Sequence, residues 1–202
     1  MKDNFRAIGP TTYLCPIPSV MLGCADDTHP ANLITVAWTG VVCSKPPMIS
    51  VSIRKSRLSH EIISNSGEFT LNLIGRELCE AMDYCGVKSG REVDKFAQCG
   101  LTAIAAPELA KAPAVAEAPA FLSCKVTQVI ELGSHDLFLA EVRQVCVQDK
   151  YFREDGSINE EAMELVSYVH GKYRALSDVM GFFGYSLASD EVRARRGLKE
   201  GK

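Results

Sequence analysis

What this 202-residue chain lacks narrows its chemistry before any motif is found. None of its eight cysteines forms a C-x-x-C pair, and none of its four histidines stands beside a cysteine pair at zinc spacing. That removes the common structural zinc sites and thioredoxin-type redox centres. The net charge of −3 gives no broad basic field of the kind that draws nucleic acid or anionic membrane. No apolar run approaches the length needed to span a bilayer. The opening "MKDNFRAIGP" has no apolar stretch like that of a secretory leader, so the expected location is cytoplasmic. No G-x-G-x-x-G follows a strand, which excludes a Rossmann dinucleotide site.

What is present reads mainly as short strands. Val20–Cys24 is one, and Leu33 to Cys43 is apolar and β-branched, a strand by composition. "SKPP" interrupts it. Met48 to Ile53 alternates apolar residues with serine, which marks a strand with one buried face. Residues 58–66 fit a short helix with Ser56 as its N-cap and Gly67 as its stop. Glu68 to Ile74 alternates again. Two short helices follow, one expected to stop at Gly86 and one at Gly100. The Ala/Pro-rich residues 106–120 read as a surface excursion within one domain. Residues 121–132 and 137–149 form two long strands around "LGSHD", and "ELVSYVHGKYRAL" carries one more.

Many short strands with few helices predict a mostly-β barrel in one domain over residues 1–188. A charged tail, 189–202, follows, frayed at its end. Most cysteines lie in apolar segments and read as buried reduced thiols, with Cys79 and Cys85 the nearest candidates for a redox pair.

The segment that asks for a function is "SVSIRKSRLSHEII", residues 50–63. A strand ends where a helix begins, and Arg54, Lys55, Ser56, Arg57, Ser59 and His60 crowd the junction. Free N–H groups at a helix start, the helix dipole, cations and hydroxyls together make a phosphate site. Upstream, Thr35 is a polar residue in an apolar strand and needs a partner, which a ring ligand offers. Trp38, the chain's one tryptophan, ends that run.

These motifs resemble the flavin reductase-like family, whose fold is the FMN-binding split barrel. "NLITVAW" matches its N-x-x-T-x-x-W-like strand, and "SKPPMISVSIRKS" its PP turn, V-S-I/L-R-K strand and phosphate loop. "GEFTLNL" follows in order. "DYCGVKSGREVDKFAQCGL" is similar to the flavoredoxin branch, "LGSHDLFLAEV" to the family's G-D-H-x-x-F-x-G-E-V, and "VHGKYRAL" to its G-x-Y-x-x-L. The resemblance covers residues 11 to about 180.

By position it implies a homodimer with FMN at the interface. Asn32, Thr35, Ala37 and Trp38 fall on the ring-side strand, and Ser52 and Ile53 present backbone groups to the ring's polar edge. Arg54, Lys55, Ser56 and Ser59 hold the phosphate, with Lys95 of "DKF" a further candidate. His135 approaches the nicotinamide or substrate side, from its own or the partner subunit, and His170, Lys172 and Tyr173 close the site. The implied activity is that of an oxidoreductase, an NAD(P)H:flavin or acceptor reductase. Ser134 stands where the family has Asp, and this departure opens the alternative of a flavoredoxin-type carrier reduced by a redox protein. A non-flavin thiol module is the remaining reading, carried by the cysteine count alone.

Overall fold

The computed structural model describes residues 4–198. Its centre is a seven-stranded antiparallel sheet built from β2 (Val20–Cys24), β3 (Asn32–Val36), β4 (Thr39–Ser44), β5 (Pro47–Arg54), β6 (Glu68–Leu73), β9 (Ala120–Glu131) and β10 (His135–Val147). The order is β3-β2-β6-β9-β10-β5-β4. β3 and β4 therefore hold opposite edges, yet only Ala37 and Trp38 separate them in the chain. Laid flat, the edges would stand about 29 Å apart at ~4.8 Å per strand. The linking residues span only about 11 Å at ~3.8 Å per Cα step. The sheet must curl until its edges approach, and β3 comes against β5 across the seam, while the Ser52 N–H, donating to the Trp38 carbonyl at 2.9 Å, carries the β4–β5 ladder into the linker. The result is the mostly-β barrel, split along one seam at Ala37–Trp38.

This seam corrects the expectation of one strand from Leu33 to Cys43. The run breaks at Ala37–Trp38 because its two halves serve different edges. A second difference follows from burial on both faces. Val20, Leu22, Ile34 and Val36 point into the barrel with Ile49, Val51, Ile53, Phe69 and Phe138. Met21 and Leu33 point outward and are covered by a second core with Ile74, Met82, Cys85 and Phe96. Strands covered on both sides read as unbroken apolar runs.

α1 (Leu58–Ser66) plugs one end of the barrel with Leu58, Ile62 and Ile63, and Gly67 ends it in the left-handed region at φ 68°. Arg57, not Ser56, occupies its N-cap position, and no side chain caps the helix. α2 (Cys79–Val87) and α3 (Lys95–Cys99) cover the outer face of β3. α2 runs through Gly86 to Val87. Glycine stands there for contact, since a Cβ at 86 would sit 3.0 Å from the Thr35 Cβ.

The Ala/Pro-rich stretch is no surface excursion. β8 (Pro113–Val115) pairs with β7 (Ala103–Ala105), and Ala112, Ala114 and Val115 are fully buried. Side chains of β6 satisfy this segment's backbone. Glu68 accepts from the N–H groups of Ala110, Lys111 and Ala112, Thr70 donates to the Pro113 carbonyl, and Asn72 accepts from the Val115 N–H. Small alanines permit this close approach.

The single C-terminal strand expected from "ELVSYVHGKYRAL" is a hairpin of β11 (Val166–Val169) and β12 (Lys172–Ala175), to which β1 (Ile17–Pro18) adds a third strand. A short helix, α4 (Asp190–Arg195), lies in the expected charged tail, whose last residues fall outside the described range. Among the described residues, no helix is long and apolar enough to cross a membrane.

Candidate functional site

Along the seam runs a groove made of three cavities that share walls. β5 delivers the first wall. Its alternation buries Ile49, Val51 and Ile53 and leaves Ser50 and Ser52 on the groove side. β5 ends at Arg54, the chain turns through Lys55 and Ser56, and α1 begins. The first cavity, about 470 Å³, opens over this turn and is lined by Arg54, Ser56, Arg57, Lys88, Ser89 and Lys95, with Asn32 below. Arg54, Arg57 and Lys88 make no ion pair among the described residues.

Lys95 adds a buried charge. It is 3 % exposed, and its ammonium donates to the carbonyls of Leu33 at 2.6 Å and Cys85 at 2.8 Å. Burial above all pulls its pKa below the usual lysine value, and the Arg57 charge adds to this. An ammonium has three protons, so one is left for the cavity that Lys95 lines. Uncompensated cations, an uncapped nine-residue helix and a spare buried donor form one donor set. That set suits an anionic group such as a phosphate ester.

The second cavity, about 250 Å³, continues along Ile34, Thr35, Ala37, Trp38, Ser52 and Ile53 and is closed by His135 and Tyr168. The His135 ring lies 4.7 Å from the Trp38 ring, tilted by 38°. Burial, then the nearby Arg54 charge, holds its pKa below the usual histidine value. The third cavity, about 470 Å³, lies beyond Trp38, between Ser50 and Ser52 on one side and Thr11–Leu14 on the other. Among the described residues, no charged side chain lines it.

Several sequence-expected residues sit elsewhere than foreseen. Lys55 does not line the phosphate cavity: its ammonium pairs with Glu131 at 2.8 Å and Asp136 at 3.4 Å, on the hairpin side of the turn. Ser59 is buried behind the cavity wall and accepts from the amide of Asn32, which does line the cavity, at 2.8 Å. The Thr35 hydroxyl already donates to the Met82 carbonyl, which answers its need for a partner without a ligand. Tyr173 lines none of the three cavities. Its hydroxyl donates to Asp83 at 2.8 Å, and burial and that carboxylate raise its pKa. Its strand neighbour Tyr168 takes the wall position. His170 stacks edge-on against Tyr13 at 4.4 Å, which brings the hairpin turn to the N-terminal wall, while Lys172 is exposed. His135 reaches the groove within its own chain.

Lys88, Ser89 and Tyr168 line the groove without having been singled out in the sequence, while Arg57 of the basic junction lines the first cavity as expected of that cluster. "GVKSGR" carried the signal for the first two, a Lys-Ser pair just past a helix end. Burial pushes Cys24, Cys85 and Cys124 up to about 12, and the thiol beside Cys85 is Cys99, not Cys79.

Comparison with known proteins bears on this groove. The flavin reductase like domain is matched over residues 13–177. The solved structure of flavoredoxin from Desulfovibrio vulgaris (Miyazaki F) superposes with a TM-score of 0.84 at 30% identity, covering 91% of this chain and 100% of that one. The high molecular weight rubredoxin of Moorella thermoacetica is 34% identical over 109 residues, 52% of this chain and 45% of that protein. The reductase component of 4-nitrophenol 4-monooxygenase/4-nitrocatechol 2-monooxygenase from Rhodococcus opacus is 30% identical over 108 residues, 54% of each chain. This chain thus spans about half the length of those two relatives.

Proposed function

The chain belongs to the flavin reductase-like family, and from that premise we propose that it is an FMN-dependent oxidoreductase, its cofactor lying in the seam groove and its electrons coming from NAD(P)H. The observation that carries the reading is the cation-lined, uncapped helix start at one end of a groove whose other end is apolar. That polarity matches a mononucleotide with a phosphate tail and a planar ring.

When bound, FMN supplies the redox chemistry itself. The chain supplies position and electrostatics. Arg54, Ser56, Arg57, Lys88 and Lys95 would hold the phosphate. Thr35, Ala37 and Trp38 border the ring space and keep water from one side of it. Ser52 and Ile53 border the ring space at the end of β5, where the Ser52 N–H is taken by the Trp38 carbonyl rather than offered to the ring. His135, tilted against Trp38, narrows the space through which a nicotinamide or acceptor enters. No group here is placed as a nucleophile, and electron transfer to a ring requires none.

The second reading is a flavoredoxin-type carrier, reduced by a redox protein. It is favoured by the match to flavoredoxin over nearly the whole chain and by Ser134 in place of the family Asp. We further infer a homodimer: Trp38, Val41, Met180, Phe183 and Leu187 are apolar and exposed, surface that a second copy would cover. Eight unpaired thiols fit a cytoplasmic setting.

The test is a visible spectrum of the purified protein, followed anaerobically by NADH and then NADPH. Rapid bleaching of a flavin band supports the reductase. A band that persists with both nucleotides, and bleaches with a reduced ferredoxin or rubredoxin, supports the carrier. No flavin band after reconstitution with FMN refutes both.

A further inference from the structure

We propose that Asp136 is a positioning residue for the phosphate-binding turn, a buried carboxylate that holds both ends of residues 55–60 without touching the cofactor. The inference deepens the FMN reading and depends on it.

Asp136 is 4 % exposed and lies on β10 opposite Ile53, one step beyond the His135–Arg54 pair. Successive strand residues face opposite ways. His135 is therefore turned to Trp38 and the groove, and Asp136 to the far side of the turn. There its Oδ2 accepts from the His60 Nε2 at 2.8 Å, and its Oδ1 lies 3.4 Å from the Lys55 ammonium. Lys55 is the first residue past β5, and His60 lies in the first turn of α1. One carboxylate thus pins the segment at both ends, and between them lie Ser56 and Arg57, which line the phosphate cavity. Phe138 packs edge-on against His60 at 5.2 Å and restrains its ring. Glu131, paired with Lys55 at 2.8 Å, draws the ammonium further from the cavity.

The clamp is sensitive to removal. Asp136 Oδ1 is buried with no hydrogen-bond partner of its own, so its compensation is the Lys55 charge. Without the carboxylate, Lys55 and His60 lose their shared anchor, and the turn gains freedom that a bound phosphate must remove. The uncapped N–H groups of α1 then no longer converge in advance. The cost falls on phosphate recognition and spares the ring end of the groove.

That asymmetry supplies the test. Riboflavin is FMN without its phosphate. Dissociation constants for FMN and riboflavin are measured for the apoprotein and for Asp136→Asn, Lys55→Met and His60→Gln, with thermal unfolding of each apoprotein alongside. In Asp136→Asn the FMN affinity is expected to fall about tenfold or more while riboflavin changes less than about twofold. Lys55→Met should shift the FMN:riboflavin ratio in the same direction, and the Asp136→Asn/Lys55→Met double variant should lose little beyond Asp136→Asn. If Asp136→Asn does not fold, Lys55→Met and His60→Gln carry the same expected ratio change. Parallel weakening of both ligands means a merely structural staple and overturns the inference, as does an unchanged ratio in all variants. Wild-type protein that binds FMN no better than riboflavin overturns the phosphate reading itself, and this inference with it.

Discussion

Replacing Lys95 with methionine tests the deepest feature of the site. The substitution keeps the unbranched stem and removes the ammonium. Two buried carbonyls, of Leu33 and Cys85, then lose donors at 2.6 and 2.8 Å. Hydrogen bonds to charged groups contribute about 1.5–3 kcal/mol each, a gross loss of about 3–6 kcal/mol. Against this stands the relief of burying an ammonium with no carboxylate partner, a burial that depresses its pKa in the folded protein. Effective penalties for buried ions reach several kcal/mol, so the net loss for the apoprotein should be about 1–3 kcal/mol.

The second consequence concerns the ligand. If the third Lys95 proton serves the phosphate, FMN affinity falls about tenfold or more. With FMN at one hundred times the wild-type dissociation constant, wild type gains about 2.7 kcal/mol, while a tenfold weaker variant gains about 1.4 kcal/mol. Urea unfolding with and without FMN reads both quantities from one set of curves. A Lys95→Met protein with the wild-type apo midpoint and an undiminished FMN increment would refute the reasoning on both counts.

Other perturbations probe separate links. Arg57→Ala removes a cavity-lining cation that pairs with no carboxylate, and FMN binding should weaken about tenfold or more, by ~1.5–3 kcal/mol, with riboflavin binding little changed. Gly23→Ala would place a Cβ 2.2 Å from the Pro113 carbonyl oxygen and 2.6 Å from the Thr70 hydroxyl. Neither the backbone nor the hydroxyl that donates to it gives way easily, so the melting temperature should drop by the equivalent of about 1–3 kcal/mol or more. Asp26 governs part of the acid limit. Burial opposes its ionisation, but hydrogen bonds from Asn65, His29 and the Thr28 N–H outweigh this and hold its pKa well below the ordinary aspartate value of 3.8. Its stabilising contribution is complete above that value and is lost as pH falls below it. Asp26→Asn should flatten the stability–pH curve in that range, and an unchanged acid limb would count against the assignment.

The element sequence of this protein is written locally. Alternation in "MISVSI" predicts β5, and "LSHEIISNSG" predicts α1 to the residue, because both patterns depend on spacing and a terminating glycine. The cluster of cations at the β5–α1 junction was likewise legible, since a helix start concentrates donors wherever it lies. A family resemblance carried by motifs in order along the chain then supplied the cofactor and the barrel.

Tertiary structure decided which of those cations serve the groove. Lys55 and Arg57 are near neighbours of one charge, and no local rule assigns them. Lys55 turns to Glu131 and Asp136, residues brought beside it by the β10–β5 register, and Arg57 turns to Lys88 and Lys95, brought there by α2 and α3 packing on β3. The seam at Ala37–Trp38 is of the same kind. Its residues look like strand interior, and they form a break only because the sheet's two edges close upon each other there. Thr35 and Tyr173 found partners in Met82 and Asp83, far away in sequence. Spacing along a chain sets which face a side chain takes within its own element. What that face meets is set by elements that arrive from elsewhere, and the site is built where they meet.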